Sequence, residues 1–360
     1  MSAPPVKIMV MAGGTGGHVY PALAVARELL QRNCEIAWLG TRNGIEARLV
    51  PAAEIPLHFL QVGGVRGKGL RTLLAAPWHL LKAVYAAVKV FREQQPQLAL
   101  GMGGYASGPG GIAARLLGIP LVIHEQNARA GTTNTWLAKI ATRVLTAFPD
   151  VLPRGEWVGN PVRKEIALLP PPQERMQGRS GPMRLLVLGG SLGAKALNEW
   201  IPAVAAKLPP QSVKIRHQTG EKHLEATQQL YQQYGVVAEV TAFIQDMAEA
   251  LAWADLVVCR AGAMTVAELS IAGVAGILIP FPHAIDDHQT ANGNWLVSGG
   301  AAELRQQHAL DEEQLKTLLM TFIEQPERRL HMAQAARSMA KPDATSLCAD
   351  ICLEVALGQR

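Results

Sequence analysis

The chain has 360 residues, which is enough for two domains that each bury a core. Hydrophobic residues make up 49% and charged residues 18%, as is typical of a folded globular protein, and no run of ~18 apolar residues offers a membrane-spanning helix. The net charge of +5 is uneven, because residues 1–163 hold 17 Lys and Arg against 8 Asp and Glu, whereas residues 164–360 hold 17 against 21. This excess predicts an anionic partner for the first half of the chain.

The first glycine-rich turn, Gly13–His18, follows an apolar strand predicted over residues 6–12 and precedes a helix predicted over residues 21–30. In a strand–turn–helix unit, backbone N–H groups and the helix N-terminus point to one place. This arrangement suits a phosphate or diphosphate, and His18 adds a titratable group there. Pro21 is expected near the first turn of the helix, where its missing N–H costs little.

Apolar runs and helical patterns alternate through the rest of the first half, which predicts a parallel sheet with crossover helices. Further strands are predicted at residues 35–40, 98–100 and 120–123. A second glycine-rich turn, at residues 101–111, precedes a helix predicted over about residues 112–117. The polar residues 124–127 follow a strand directly, and ligands of open α/β sheets bind at such strand ends.

Residues 66–92 combine helically spaced apolar residues with six basic ones, and no acidic residue occurs there before Glu93. Pro77 is expected to break or begin a helix in this segment. The pattern fits a crossover helix with a solvated basic face. It also fits a basic and apolar patch that rests on anionic lipid.

The second half of the chain begins as the first does, after a proline-rich boundary near residues 159–172. A strand predicted at residues 184–188 leads into Gly189–Ala194, which repeats the first glycine turn at an offset of 176 residues. The repeat predicts two similar α/β domains, with two anion-binding crevices that meet across an interdomain cleft.

Four more strands are predicted in this half, at residues 213–217, 236–240, 256–259 and 276–279. After the third of these, Thr265 is expected at a helix start, and Glu268 either complements the helix dipole or accepts hydrogen bonds from ribose hydroxyls. Helical patterns run from Asp311 onward, and the last, at residues 345–357, is expected to cross back onto the first domain.

Several standard signatures can be weighed against this picture. Val19 stands where a dinucleotide-binding turn has its third glycine, no P-loop motif occurs, and the four cysteines form no CxxC pair or zinc set. Gly189-x-Ser191-x-Gly193 matches a nucleophile elbow, which keeps a serine hydrolase open. Its partners would be Asp286 or Asp287 with His288 or His308. The repeat favours phosphate contacts for Ser191 instead.

Seven motifs together resemble the MurG family of bacterial N-acetylglucosaminyltransferases, at residues 13–21, 103–109, 124–127, 159–163, 189–191, 259–268 and 288–289. The resemblance implies an α/β GT-B fold, with two Rossmann-like parallel-sheet domains facing across a cleft. Residues 1–163 would bind the acceptor and the membrane, with the C-terminal helix 341–360 packed back on them. Residues 164–340 would bind the UDP-sugar. Gly293 departs from the alanine that the family usually has there.

The implied activity is inverting transfer of N-acetylglucosamine from UDP-GlcNAc to the C4 hydroxyl of the MurNAc of lipid I, which is undecaprenyl-diphospho-MurNAc-pentapeptide. The products are lipid II and UDP. The resemblance implies a UDP-GlcNAc site formed by Thr15, Gly16, Gly17, Asn127, Arg163, Ser191, Ile244, Ala263, Met264, Thr265, Val266, Ala267, Glu268 and Gln289. Within it, Ser191 and Thr265 are assigned to the diphosphate, Glu268 to the ribose and the backbone of Ile244 to the uracil.

The acceptor diphosphate is expected at Gly13, Gly14, Gly103, Gly104 and Tyr105. His18 is the first candidate for the catalytic base and Glu125 the second. Neither a cofactor nor a metal ion is expected, since backbone donors and Arg163 would neutralise the leaving UDP. The resemblance also implies a peripheral location on the cytoplasmic face of the bacterial inner membrane, reached through the patch at residues 66–92. No nucleic acid is expected as a partner, and other cell-wall synthesis proteins can be partners.

Two other functions remain open at this point. Another GT-B enzyme that uses a UDP-sugar, such as an epimerase, would need no lipid acceptor. A peripheral membrane scaffold that keeps a nucleotide fold would leave the three glycine junctions and Glu268 without a role.

Overall fold

The computed structural model describes residues 4–61, 70–190 and 193–358, without the side chains of residues 70–76 and of Ile285. The chain divides into two compact units. The first unit contains residues 1–163 and 341–360, and the second contains residues 164–340. Within the described residues, no helix is long and apolar enough to cross a membrane.

The first unit is a parallel sheet with helices on both faces. Its strands are β1 (Lys7–Met11), β2 (Glu35–Gly40), β3 (Leu57–Phe59), β4 (Leu98–Gly101), β5 (Leu121–Glu125), β6 (Arg143–Thr146) and β7 (Gly155–Trp157). Its helices are α1 (Gly16–Gln31), α2 (Glu46–Ala52), α3 (Leu70–Gln94), α4 (Ser107–Leu116), α5 (Thr132–Leu137) and α15 (Ala344–Ala356). The strand order β3-β2-β1-β4-β5-β6-β7 reverses direction between β1 and β4, the position where open α/β sheets bind ligands.

The second unit repeats this architecture. Its strands are β8 (Met183–Leu188), β9 (Val213–Gln218), β10 (Ala238–Thr241), β11 (Leu256–Cys259), β12 (Ala275–Leu278) and β13 (Ala302–Leu304). Its helices are α6 (Lys164–Ala167), α7 (Pro172–Arg175), α8 (Lys195–Ala205), α9 (Leu224–Gln233), α10 (Met247–Trp253), α11 (Ala263–Ala272), α12 (His288–Ser298), α13 (Glu312–Glu324) and α14 (Pro326–Ser338). The order β10-β9-β8-β11-β12-β13 has its reversal between β8 and β11, and all strand pairs are parallel. Two Rossmann-like parallel-sheet domains are thereby confirmed.

Two helices, α1 and α4, begin earlier than the sequence predicts. Helix α1 begins at Gly16 because the N–H groups of His18 and Val19 both donate to Thr15 O, at 3.1 and 3.2 Å. Pro21 therefore lies inside the helix and not near its start. Helix α4 likewise begins earlier than predicted, at Ser107.

Pro77 neither breaks nor begins helix α3, which runs without interruption from Leu70 to Gln94. A proline removes one backbone hydrogen bond from a helix interior, and packing can offset that loss. Ala83, Ala87 and Phe91 of α3 are buried, and Ala87 and Phe91 belong to the same hydrophobic core cluster as β1. These contacts supply such packing.

Helix α15 returns to the first unit after the second unit has been completed. It packs against α1 and buries Cys348, Ala349 and Cys352 in the core around β1. The guanidinium of Arg32, which follows α1, pairs with the carboxylate of Asp350. The last helix is therefore a structural part of the first unit.

Gly293 in α12 has a packing reason. A Cβ at this position would lie 2.6 Å from Leu304 Cδ1 and 3.3 Å from Ala261 Cβ. Such distances require neighbouring side chains to shift, so the departure from alanine matches the local packing.

Candidate active site

The two glycine turns of the first unit meet at the C-terminal ends of β1 and β4. A Cβ on Gly104, whose φ is +84°, would lie 2.1 Å from Gly13 O. Ser107 Oγ donates to Met11 O at 2.7 Å and to Gly103 O at 2.8 Å, which fixes the second turn against β1. Only glycine allows this approach of backbone to backbone.

His18 lies in the first turn of α1, half-buried, between these two turns. Its Nδ1 is 3.5 Å from Thr15 Oγ1. On the other side, the ring packs on the α-carbon of Gly103, where a Cβ would lie 2.6 Å from His18 Cδ2. Thr15 and Tyr105 are exposed nearby, and Gly16 and Gly17 form the helix start.

Glu46 is a site residue that the sequence analysis misses. Its side chain is fully buried at the start of α2, and its Oε2 accepts the N–H of Gly14 at 2.9 Å. Its Oε1 accepts the N–H and the Oγ1–H of Thr41, at 2.9 and 2.7 Å. The only sequence signal is the pair of nearby glycines at positions 40 and 44, where a Cβ would overlap the Glu46 side chain.

The polar residues after β5 form a hydrogen-bonded loop. His124 is fully buried, and burial lowers its pKa to about 4, so the ring is neutral near pH 7. Because Gln126 Nε2 lies 3.2 Å from His124 Nδ1, the proton resides on Nε2, which donates to Gly159 O at 2.9 Å. Asn160 Nδ2 donates to Gln126 O at 3.0 Å. These bonds tie the loop to the segment that ends at the half-buried Arg163.

Glu125 lies in the same loop, and its carboxylate accepts four hydrogen bonds. The N–H and Nδ2 of Asn127 donate to Oε1 at 3.0 and 3.2 Å. The N–H of Gly131 and Nδ2 of Asn134 donate to Oε2 at 3.1 and 2.9 Å. The residue is 2% exposed, so this carboxylate holds the loop together and orients Asn127.

In the second unit, Gly189 and Gly190 follow β8, as predicted from the repeat. Ser191 lies outside the described residues. Gly190 is held by Gln218, whose Oε1 accepts the Gly190 N–H at 3.0 Å and whose Nε2 donates to Gly190 O at 3.1 Å. The same Nε2 donates to Ala242 O at 2.9 Å, two residues before the half-buried Ile244.

Helix α11 begins at Ala263, as the motif predicts, and its N-cap is Gly262 in an extended conformation. Met264, Thr265 and Glu268 are half-buried near this helix start. Val266 is different, because its side chain is fully buried and its N–H donates to Gly262 O at 2.9 Å. Ala267 is buried as well. Neither Val266 nor Ala267 presents a side chain to a ligand.

Two further residues order the loops at the ends of β11 and β12. Gln289 Oε1 accepts the N–H of Phe281 at 2.9 Å, which leaves its NH2 group as the donor. Arg260 donates to Ile279 O at 3.0 Å and to Gln307 Oε1 at 2.8 Å, and burial lowers the pKa of its guanidinium. Arg260 therefore supports the loop and is a second residue that the sequence analysis misses.

A cavity of about 410 Å³ lies beside the glycine turn of the second unit. Its lining includes Gly193, Lys195, His223, Arg260 and His283. None of the predicted donor-site residues that the structure describes lines this cavity. Among the residues that the structure describes, no three His, Cys, Asp or Glu side chains are grouped so that they could hold a metal ion.

Two family models match the chain. Residues 8–146 match the glycosyltransferase family 28 N-terminal domain, and residues 184–347 match the glycosyltransferase family 28 C-terminal domain. The chain is 53% identical over 354 residues to the UDP-N-acetylglucosamine--N-acetylmuramyl-(pentapeptide) pyrophosphoryl-undecaprenol N-acetylglucosamine transferase of Alkalilimnicola ehrlichii, covering 98% of this chain and 99% of that one. The protein of the same name from Halorhodospira halophila is 52% identical over 353 residues, with the same coverage.

A comparison with solved structures agrees with these sequence matches. The chain matches the crystal structure of MurG from Acinetobacter baumannii with a TM-score of 0.84 and 42% identity, over 97% of this chain and 100% of that one. It also matches a UDP-GlcNAc 2-epimerase from Neisseria meningitidis with a TM-score of 0.66 over 97% and 100% of the two chains. That likeness comes with 13% identity and shows a common fold only.

Proposed function

Since the chain belongs to glycosyltransferase family 28 and is an N-acetylglucosamine transferase, we propose that its donor is UDP-GlcNAc and its acceptor N-acetylmuramyl-(pentapeptide) pyrophosphoryl-undecaprenol, which is lipid I. The observation that carries this proposal is the identity above 50% to transferases of that name over almost the whole chain. The acceptor's C4 hydroxyl attacks the anomeric carbon of GlcNAc from the face opposite UDP. The new glycosidic bond forms as the bond to UDP breaks, and the hydroxyl proton passes to a base.

The second unit provides most of the donor site in this proposal. The start of α11, at Ala263, Met264 and Thr265, faces the diphosphate together with Ser191, since a helix N-terminus stabilises an anion. Glu268 accepts hydrogen bonds from the ribose hydroxyls, and the backbone of Ile244 binds the uracil. The geometry supports Gln289 as a residue of the donor site. Its Oε1 accepts the N–H of Phe281, and this bond leaves its NH2 group to donate to the substrate. Asn127 and Arg163, which belong to the first unit, stay proposed contacts of the donor's diphosphate and sugar.

The first unit provides the acceptor site. Gly103 and Gly104 lie against His18 and Gly13 of the first glycine turn, and the exposed Tyr105 follows them in the chain. The N–H of Gly14 is already bonded to Glu46, so Gly14 contributes its left-handed backbone, with φ of +93°, and not a donor. Thr15, Gly16 and Gly17 at the helix start are the donors in this proposal, shared between acceptor diphosphate and UDP-GlcNAc.

His18 is the base in this proposal, and Glu125 positions Asn127. Support comes from the two sets of contacts: the His18 ring lies between both glycine turns, whereas each oxygen of Glu125 already accepts two hydrogen bonds inside a buried loop. These four hydrogen bonds give Glu125 a structural task, because losing any of them would leave a donor unpaired in a buried loop. The protein would thus use an imidazole for the proton transfer.

Membrane association through α3 is the last part of the proposal. Trp78 and Tyr85 are 61% and 76% exposed, and Leu81 between them is exposed too. Lys82 Nζ lies 5.3 Å from the centroid of the Trp78 ring. An aromatic and basic surface of this kind suits the interface of an anionic membrane, here the cytoplasmic face of the inner membrane. Arg66 and Lys68 of the predicted patch lie outside the described residues.

One assay tests the function: UDP release from UDP-GlcNAc, measured with and without a lipid I analogue. We expect release that depends on the acceptor, together with a disaccharide product. Acceptor-independent isomerisation of the sugar would identify an epimerase instead, and no turnover with either mixture would favour a scaffold. Labelling of Ser191 by a fluorophosphonate would instead support the alternative function, a serine hydrolase.

A pair of substitutions tests the base. His18→Ala is expected to lower kcat by about 100-fold or more while leaving UDP binding unchanged, since general base catalysis contributes that much. If His18→Ala retains near wild-type turnover and Glu125→Ala abolishes it at unchanged thermal stability, the two roles are reversed.

A further inference from the structure

The internal repeat extends to how each glycine turn is held. In the first unit the N–H of Gly14 donates to Glu46 Oε2 at 2.9 Å, and in the second the N–H of Gly190 donates to Gln218 Oε1 at 3.0 Å. Gly14 and Gly190 are equivalent in the sequence repeat, and both have a positive φ, +93° and +78°. Each turn is thus fixed through the same N–H by a side-chain oxygen from another part of its own unit.

The surroundings of Glu46 require an acceptor at both oxygens. Three donors converge on the carboxylate, namely the N–H of Gly14 and the N–H and Oγ1–H of Thr41. Space for it comes from positions 13, 40 and 44, where a Cβ would lie 2.5, 2.8 and 1.9 Å from Glu46 atoms. A glutamine of the same size would turn an NH2 group toward at least one N–H donor.

The surroundings of Gln218 require the opposite chemistry. Its oxygen accepts one N–H, whereas its Nε2 donates to two carbonyl oxygens, those of Gly190 and Ala242, at 3.1 and 2.9 Å. The side chain is 5% exposed and joins the glycine turn to the segment that leads to Ile244. A glutamate of the same size would place a charged oxygen against those carbonyl oxygens.

We propose that Glu46 and Gln218 are positioning residues, Glu46 for the turn on the acceptor side and Gln218 for the turn on the donor side. The assignment of one turn to the acceptor and the other to the donor rests on the proposed function. Neither residue needs to touch a substrate, because each acts through the backbone of its glycine turn. Reaction geometry is sensitive to displacements of about 1 Å, so a displaced turn weakens binding of the substrate on its own side.

The experiment uses full-length Glu46→Gln and Gln218→Glu, which keep side-chain size. Initial rates of transfer to a lipid I analogue give both KM values, and calorimetric titration gives the Kd of UDP. We expect Glu46→Gln to raise the acceptor KM about ten-fold and the donor KM by clearly less, because Thr15, Gly16 and Gly17 of this turn contact both substrates in the proposed function. The Kd of UDP should stay within two-fold. Gln218→Glu should raise the donor KM and UDP Kd about ten-fold, with the acceptor KM within two-fold. Controls are Glu35→Gln and Gln228→Glu, the same changes at exposed positions.

The outcomes distinguish a failure of the positioning roles from a failure of the proposed function. If both variants change thermal stability but neither KM, or change both KM values equally, the positioning roles are wrong. If Glu46→Gln acts on the donor and Gln218→Glu on the acceptor, positioning stands and the assignment of the units in the proposed function is wrong. Should either variant not fold, Thr41→Val and Gln218→Met replace them. Thr41→Val removes one donor to Glu46, and Gln218→Met removes all three hydrogen bonds of the amide, with the same directions expected.

Discussion

Glu125 is the residue at which a base role and a positioning role lead to different losses of activity and stability. Glu125→Gln keeps the size of the side chain but turns an NH2 group toward donors that now bond to Oε1 or Oε2. We expect a lower thermal midpoint and a kcat reduced about ten-fold, because a donor facing a donor in a buried site costs about 1–3 kcal/mol. Measurable turnover should remain, since His18 would still take the proton.

The contrary result is equally clear. A Glu125→Gln enzyme without turnover but with unchanged thermal stability would identify Glu125 as the base. Glu93→Gln, a change at an exposed position of the same unit, serves as the control for the loss of one carboxylate.

Gly104 tests the contact between the two glycine turns. Gly104→Ala adds a Cβ that would lie 2.1 Å from Gly13 O at a φ of +84°. We expect the acceptor KM to rise, and the midpoint of urea unfolding to fall further than for Gly118→Ala. Gly118 has a φ of +70° and nothing within 4 Å of its Cβ position, so Gly118→Ala incurs only the left-handed penalty of roughly 1 kcal/mol. Equal effects of the two substitutions would mean that the turns can separate without consequence.

At the scale of elements, helix α3 carries the membrane proposal. Lys82→Glu with Lys89→Glu reverses two charges beside the exposed Trp78 and Tyr85. Since each basic residue near an anionic surface contributes about 1 kcal/mol, we expect at least a thirty-fold loss of binding to vesicles that contain phosphatidylglycerol. Co-sedimentation measures it, with Lys316→Glu on α13 as the control. Unchanged binding of the double variant would exclude this surface.

Strands and helices with continuous apolar or strictly periodic patterns are predictable here from the sequence. The strand at residues 35–40 and the strand at residues 256–259 have the predicted bounds. Strands β3, β6, β7 and β13 are missed because they are short and each contains a polar or charged residue, whereas β11, with four residues, is continuously apolar. Pro77 misleads for a different reason, since tertiary packing overrides local preference.

The glycine turns of the site are predictable because their chemistry is local. Glu46 and Gln218 are not, because each contacts a glycine about 30 residues away, 32 for Glu46 and 28 for Gln218. Such contacts depend on which strands become neighbours in the sheet. The burial of Val266 and Ala267 is not predictable from the motif either, since a motif names consecutive residues although a helix turns some of their side chains into the core. Their place in the UDP-GlcNAc site stays a prediction.

For the whole molecule, each unit contains one buried neutral histidine. Burial lowers the pKa of His124 to about 4 and of His217 to about 3, from an ordinary value of about 6.5. Below pH 6.5 the unfolded chain therefore takes up protons that the folded chain does not. We expect both units to lose stability as the pH falls from 6.5 to 4, by roughly 3 kcal/mol for each histidine at the acidic end.

Calorimetric scans between pH 7.5 and 4.5 measure this loss. His217→Gln should flatten the pH dependence of the second unit's transition, whereas His331→Gln, an exposed change in the same unit, should leave it unchanged. A transition of the second unit that keeps its full pH dependence in His217→Gln would refute the role of this histidine.

The return of α15 to the first unit has a consequence for how the protein is made. Arg32 and Asp350, which pair between the α1 end and α15, are 318 residues apart, so the first unit stays incomplete until the ribosome has delivered nearly the entire chain. The second unit is an insertion whose residues 164–340 emerge earlier than α15. Although domains usually fold in the order of their synthesis, we expect the second unit to close first. Until α15 has been synthesised, the apolar surface of α1 and the β1 core that α15 covers would stay exposed.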